Sequence, residues 1–213
     1  MRWFWIDRFE EFVRGKHATA VKNVSLAEEH MHDHFPGVAL MPNSLIVEGM
    51  AQAAGLLVAE AIDYNRRVVL AKVSKAEFNF DAVPGDMIKF HAEIIDLKPT
   101  GSFTRVKTTI GSEVQGQAEI FFAHLEPGEG VPKLFEPEEL LRWLDQMHIY
   151  DVGRDEAGQP LEVTVELLDT SYMALNQSTV GTGFFSIFRD KAAQSTELIQ
   201  RMRDILLQRS REP

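Results

Sequence analysis

The sequence predicts an α+β fold, one long helix against an antiparallel sheet, followed by a C-terminal α/β extension. Three observations predict it. Residues 45 to 59 form an apolar run whose only polar side chains are Glu48 and Gln52, and a helix apolar on every side is a buried helix. Segments 18–25, 68–80, 87–97, 103–113 and 116–125 are rich in β-branched and aromatic residues, with Pro84-Gly85-Asp86 and Pro99-Thr100-Gly101 between them as turns. After Leu125 the character changes, because 126–132 reads Glu-Pro-Gly-Glu-Gly-Val-Pro, a linker composition.

The elements follow in order. Pro42 and Asn43 open the central helix, since proline cannot continue a helix from upstream and asparagine is a good N-cap. The first domain spans residues 1–125, the linker 126–136 and the extension 137–213. Pro137, Glu138 and Glu139 start an amphipathic helix that turns Leu140, Leu141, Leu144 and Met147 inward. Leu161, Val163, Val165 and Leu167 alternate as in a strand, and Leu198, Ile199, Met202, Ile205 and Leu206 mark a closing helix. Each of these has an apolar side that favours packing on the first domain or on a second protomer over trailing in solvent. There is no repeat and no low-complexity segment.

Length and composition narrow the function classes. A chain of 213 residues buries one good core with an appendage. The start, Met1-Arg2-Trp3-Phe4-Trp5-Ile6-Asp7, meets a charge too soon for the core of a secretory signal. No other apolar stretch is expected to span a bilayer, so no membrane insertion is expected. The chain has no cysteine, which removes disulfides and thiolate ligands and fits a cytoplasmic location. A net charge of −10 speaks against nucleic-acid binding.

The chemistry concentrates between His34 and Gln52. His34 is followed by Phe35-Pro36-Gly37. Proline holds Phe35 extended, and Gly37 lets the backbone take a positive φ or come close to a ligand with a bare N–H, as an oxyanion hole requires. The dipole of the central helix favours negative charge near its start. Burial would raise the pKa of Glu48 and keep it protonated as a general acid, and Gln52, one turn on, is placed to hydrogen-bond its carboxyl.

With His34-Phe35-Pro36-Gly37, Pro42-Asn43, and Glu48 ahead of Ala51-Gln52, His34 and Glu48 being fourteen positions apart, the chain resembles the bacterial 3-hydroxyacyl-[acyl-carrier-protein] dehydratases of the hot-dog fold. Asp7-Arg8 through Gly15-Lys16 with Ala20 to Val24 resembles that family's opening hairpin. Lys75-Ala76-Glu77-Phe78 and Val83-Pro84-Gly85-Asp86 resemble its strand-turn-strand after the helix. The resemblance covers residues 1 to 125 and leaves the tail unassigned. Two departures stand out. Asn43 replaces the usual glycine, a substitution that its tolerance of left-handed geometry would allow. Glu48 in place of Asp matches the branch that only dehydrates.

The resemblance implies that His34 and Glu48 are catalytic, that Phe35, Gly37 and Gln52 contact the substrate, and that neither metal nor organic cofactor takes part. It implies a substrate thioester of acyl-carrier protein or coenzyme A, in fatty-acid or related lipid synthesis. It further implies a homodimer, or a higher homo-oligomer of dimers, paired edge to edge with His34 of one protomer facing Glu48 of the other. An acidic carrier needs a basic landing site, for which Arg66, Arg67, Lys72 and Lys75 are the candidates. Rival readings are a hot-dog thioesterase, which has no need of His34, and a non-catalytic acyl-binding or scaffold protein. His30, His32 and His34 alternate and would share a strand face as in some zinc sites. Gly181-Thr182-Gly183 is a weak phosphate-loop signal, and Trp3, Phe4 and Trp5 are better suited to core or dimer packing than to a membrane.

Overall fold

A computed structural model of the chain describes residues 4–33, 36–126 and 137–162. His34 and Phe35, the strand expected over 161–167 beyond Glu162, Gly181 to Gly183, and the closing helix at 198–206 lie outside the described residues. The chain divides after Thr170.

The opening hairpin is β1 (Arg8–Val13) and β2 (His17–Asn23), joined by a turn in which Gly15 takes φ +70°. A short helix α1 (His30–Asp33) follows, then the nineteen-residue α2 (Asn43–Ala61). The sheet continues with β3 (Arg67–Phe78), β4 (Met87–Lys98), β5 (Gly101–Ile110) and β6 (Glu113–Leu125). After the linker come α3 (Pro137–Gln146), α4 (Ile149–Val152) and β7 (Gly153–Arg154). The sheet order is β3-β6-β5-β4-β2-β1-β7, antiparallel except for the parallel β1–β7 pair. This is the hot-dog arrangement of a sheet curled around a central helix, and the expected strands fall within a few residues of the observed ones.

Period-two alternation builds the concave face. Ala20, Ile88, Phe90, Ala92, Val106, Ala118 and Ile120 are buried on the strands that meet α2, whose own buried residues include Ile46, Met50, Ala53, Ala54 and Leu57. Helix and sheet meet closely at Gly49, where a Cβ would stand 2.7 Å from Phe90 Cζ. By length and composition α2 does reach the membrane-span threshold, which corrects the expectation of no such stretch; half of that apolar window is buried inside the fold, as in a core helix.

The start of α2 also differs from expectation. Pro42 is the N-cap, with φ −57° and ψ 131°, and its carbonyl accepts from the Leu45 and Ile46 N–H groups at 2.9 and 3.1 Å. Proline suits this place because its own missing N–H is not needed there. Asn43 is instead the first helical residue, so its tolerance of left-handed geometry is not used.

The first part of the extension packs on the hot-dog core. β7 pairs with β1 through Phe12–Gly153 and Val13–Arg154, and the Phe9 N–H donates to the Met147 carbonyl at 2.8 Å. Leu140, Leu144 and Met147 are buried as the amphipathic pattern expects, as is Ile149 of α4, which that pattern did not include, while the Leu141 side chain lies outside the described residues. Leu144 is fully buried. Leu144→Ala should therefore lower unfolding free energy by about 2–5 kcal/mol, read by denaturant titration, whereas a loosely attached arm would show a change near zero.

Candidate active site

Three pieces of the His34–Gln52 region are described: the turn at Gly37, the start of α2 and its first two turns. Gly37 has φ +84°, the first of the two uses that glycine allowed at this position, with nothing within 4 Å of where a Cβ would stand. The backbone here is bare and exposed. The loop is tied down at its far end, where the Met41 N–H donates to the Ala82 carbonyl at 2.8 Å.

Glu48 is exposed, which corrects the expectation of a carboxyl desolvated by its own helix. The physical reason is the one-sided packing of α2. The sheet covers the side bearing Ile46, Met50, Ala53 and Leu57, and leaves a stripe on which Ser44 and Glu48 are exposed and Gln52, Gly55 and Ala59 half-buried. The hydrogen bond expected from the i, i+4 spacing is present, with Gln52 Nε2 donating to Glu48 Oε1 at 2.9 Å. The Gln52 oxygen accepts in turn from the Trp5 main-chain N–H at 2.8 Å. Nothing in the sequence announces this second bond, which links residues 47 positions apart.

The histidine row does not form. His30 and His32 belong to α1 and so do not alternate along a strand. His30 packs edge-on against the Trp5 ring at 5.3 Å and lies 3.6 Å from Glu28. Among the described residues no group of three or more His, Asp or Glu side chains is placed to hold a metal ion. The proposed basic cluster is also partly committed elsewhere. Arg66 is engaged by the Pro99 carbonyl and by Glu126, and Lys75 pairs with Glu77 at 2.9 Å.

A second ionisable cluster, at the other end of α2, has no counterpart in the sequence expectations. Glu60 is 1% exposed and its pKa is pushed up to about 7, mainly by burial and further by Asp63, against the opposing pull of Arg14, whose Nε is 3.6 Å from Glu60 Oε2. Arg14 also binds Asp63. The phenols of Tyr64 and Tyr150 face the same carboxylate, and burial pushes both well above the ordinary tyrosine value. Its signal was available as a glutamate in the last turn of a largely apolar helix, but no local pattern shows that Arg14 folds back to meet it.

Comparison with known proteins bears on the site itself, since residues 4–117 match the model of the FabA-like domain. The chain belongs to the FabA-like family. The 3-hydroxyacyl-[acyl-carrier-protein] dehydratase FabZ of Desulforamulus reducens is 34% identical over 119 residues, covering 55% of this chain and 84% of that one. That of Koribacter versatilis is 37% identical over 117 residues, covering 54% and 75%. Among solved structures, smu.793 from Streptococcus mutans, bound to acetyl CoA, superposes with TM-score 0.49 at 15% identity, covering 61% of this chain and 96% of its own. The FabA-like match ends within β6, so α3, α4 and β7 lie beyond it.

Proposed function

We propose that this FabA-like protein is a 3-hydroxyacyl thioester dehydratase, in fatty-acid or related lipid synthesis. The observation that carries the reading is Glu48, held by Gln52 on the open stripe of α2 and fourteen residues after His34, in a chain that also presents a bare backbone turn at Gly37. The relatives named FabZ support the same activity. His34 takes the proton from the carbon next to the thioester carbonyl. Glu48 in its protonated form gives its proton to the β-hydroxyl, which leaves as water, and a trans-2-enoyl thioester remains. The Gly37 N–H donates to the thioester oxygen as that oxygen gains enolate character, with Phe35 and Gln52 completing the substrate contacts. The two side chains supply both proton transfers.

The assembly we propose is a homodimer with sites shared between protomers. Two features support it. The stripe around Glu48 is left open by the protomer's own sheet, and a second protomer would cover it. β3 is a twelve-residue edge strand, and such an edge is a template for pairing with another copy. A cytoplasmic location and an acyl-carrier-protein substrate belong to the same proposal.

The direct test is incubation with a short 3-hydroxyacyl thioester, followed by mass spectrometry. The expected product is the enoyl thioester, lighter by one water. Release of free thiol without enoyl product would identify a thioesterase, and tight binding with no conversion an acyl-binding protein; either result overturns the dehydratase. Parallel reactions on carrier-bound and coenzyme A forms identify the carrier, with the carrier-bound substrate expected to be turned over faster.

A further inference from the structure

The extension reaches Glu48 through the N-terminal arm. On α3, beyond the FabA-like match, Trp143 meets the Phe4 ring edge-on at 4.7 Å between centroids. The next residue, Trp5, is buried and lies along α2 at the level of the acid. Its carbonyl rests over Gly49, where a Cβ would come within 3.3 Å, and its N–H donates to Gln52 Oε1. A main-chain N–H can only donate. It therefore fixes the Gln52 amide with the oxygen towards the arm and the NH2 towards Glu48. Farther along, the arm is held by Asp7 N–H to the Val21 carbonyl at 2.7 Å and by Phe9 N–H to the Met147 carbonyl at 2.8 Å. The extension thus grips the arm on both sides of Trp5, at Phe4 and at Phe9.

We propose that Trp143 is a positioning residue for the dehydration, holding the arm so that Trp5 orients Gln52 and Gln52 keeps Glu48 aimed at the substrate. The inference rests on Glu48 being the acid. One consequence follows from the fixed amide. Because Gln52 donates to Oε1, the proton passed to the leaving hydroxyl sits on Glu48 Oε2. The extension is then part of the catalytic apparatus, acting through two hydrogen bonds and one aromatic contact. Its aromatic anchor lies in sequence beyond the domain that carries the acid.

The experiment compares full-length wild type, Trp143→Ala, Trp143→Phe and Phe4→Ala, each alone and combined with Glu48→Gln. Trp143→Ala should lower kcat about tenfold with KM within about twofold, since a slackened catalytic group costs rate more than binding. Trp143→Phe, which retains an aromatic edge, should recover most of the loss. Phe4 is exposed, so Phe4→Ala tests the same contact in a folded protein if Trp143→Ala fails to fold, and it should show the same loss in kcat. In the Glu48→Gln background neither substitution should slow the residual rate further, because both act through that carboxyl. Wild-type kcat in Trp143→Ala and Phe4→Ala, or an equal loss in both backgrounds, overturns the positioning role and leaves the dehydratase assignment intact. Wild-type dehydration rates in Glu48→Gln alone overturn Glu48 as the acid and the inference with it, whereas a wild type that forms no enoyl product overturns the dehydratase assignment itself.

Discussion

Glu48→Gln is expected to lower dehydration about a hundredfold or more while the fold persists, and His34→Ala to do the same, because a positioned acid or base is typically worth that much. Glutamine keeps the size of the Glu48 side chain and loses only the donated proton. A glutamine at this position keeps a side-chain oxygen to accept the Gln52 bond, so circular dichroism and melting temperature should stay near wild type. Mixing the two inactive variants should restore part of the activity if sites are shared, because some mixed dimers would carry one intact His34 and Glu48 pair. Wild-type turnover in folded Glu48→Gln protein would contradict the assignment of the acid. The absence of any recovery on mixing, under conditions where subunits exchange, would contradict the shared site alone.

The second large effect is on stability, and it belongs to Glu60. Its pKa in the folded protein is raised from 4.5 to about 7, chiefly by burial. Below the unfolded value the carboxyl is protonated in both states, and the stabilisation linked to this proton is fully present. As pH rises through about 7 the folded protein must carry the charge in its interior and that stabilisation is lost. One pKa unit corresponds to about 1.4 kcal/mol, so the loss between about pH 4.5 and 7 is on the order of 3 kcal/mol. Arg14 opposes the shift, Asp63 reinforces it, and the Tyr64 and Tyr150 phenols stay neutral throughout this window. Glu60→Gln should flatten the pH dependence of unfolding free energy in this range and raise stability at pH 8. An unchanged slope in the variant would show that Glu60 does not carry the linkage.

The sheet and its helix were legible because their signals are local. Alternation along β4 to β6, the Pro-Gly and Pro-Thr-Gly breaks and the apolar run of α2 each occupy a few consecutive residues. The positive φ of Gly37 was one of two uses that a glycine there allowed, and the structure adopts it. The amphipathic pattern around Leu140, Leu144 and Met147 likewise specified a buried face. The surroundings of Glu48 were misjudged for a different reason. An apolar helix signals that its surface will be covered, without saying whether the chain's own sheet or a second protomer covers a given side.

By itself the sequence determined the hot-dog elements, the FabA-like motif with its fourteen-residue spacing, and the Gln52 bond to Glu48, since one helical turn fixes that contact. Only the tertiary structure decided that α2 leaves Glu48 on an open stripe, that Pro42 takes the cap position, and that His30 and His32 sit on a helix. It also decided that Trp5 locks Gln52, that Trp143 meets Phe4, and that Arg14 reaches Glu60. These contacts join segments dozens of residues apart, through a ring edge, a main-chain N–H and a guanidinium, none of which leaves a pattern among neighbouring residues. Periodicity and motif spacing report what neighbouring residues do to one another, whereas such contacts depend on where the whole chain folds back.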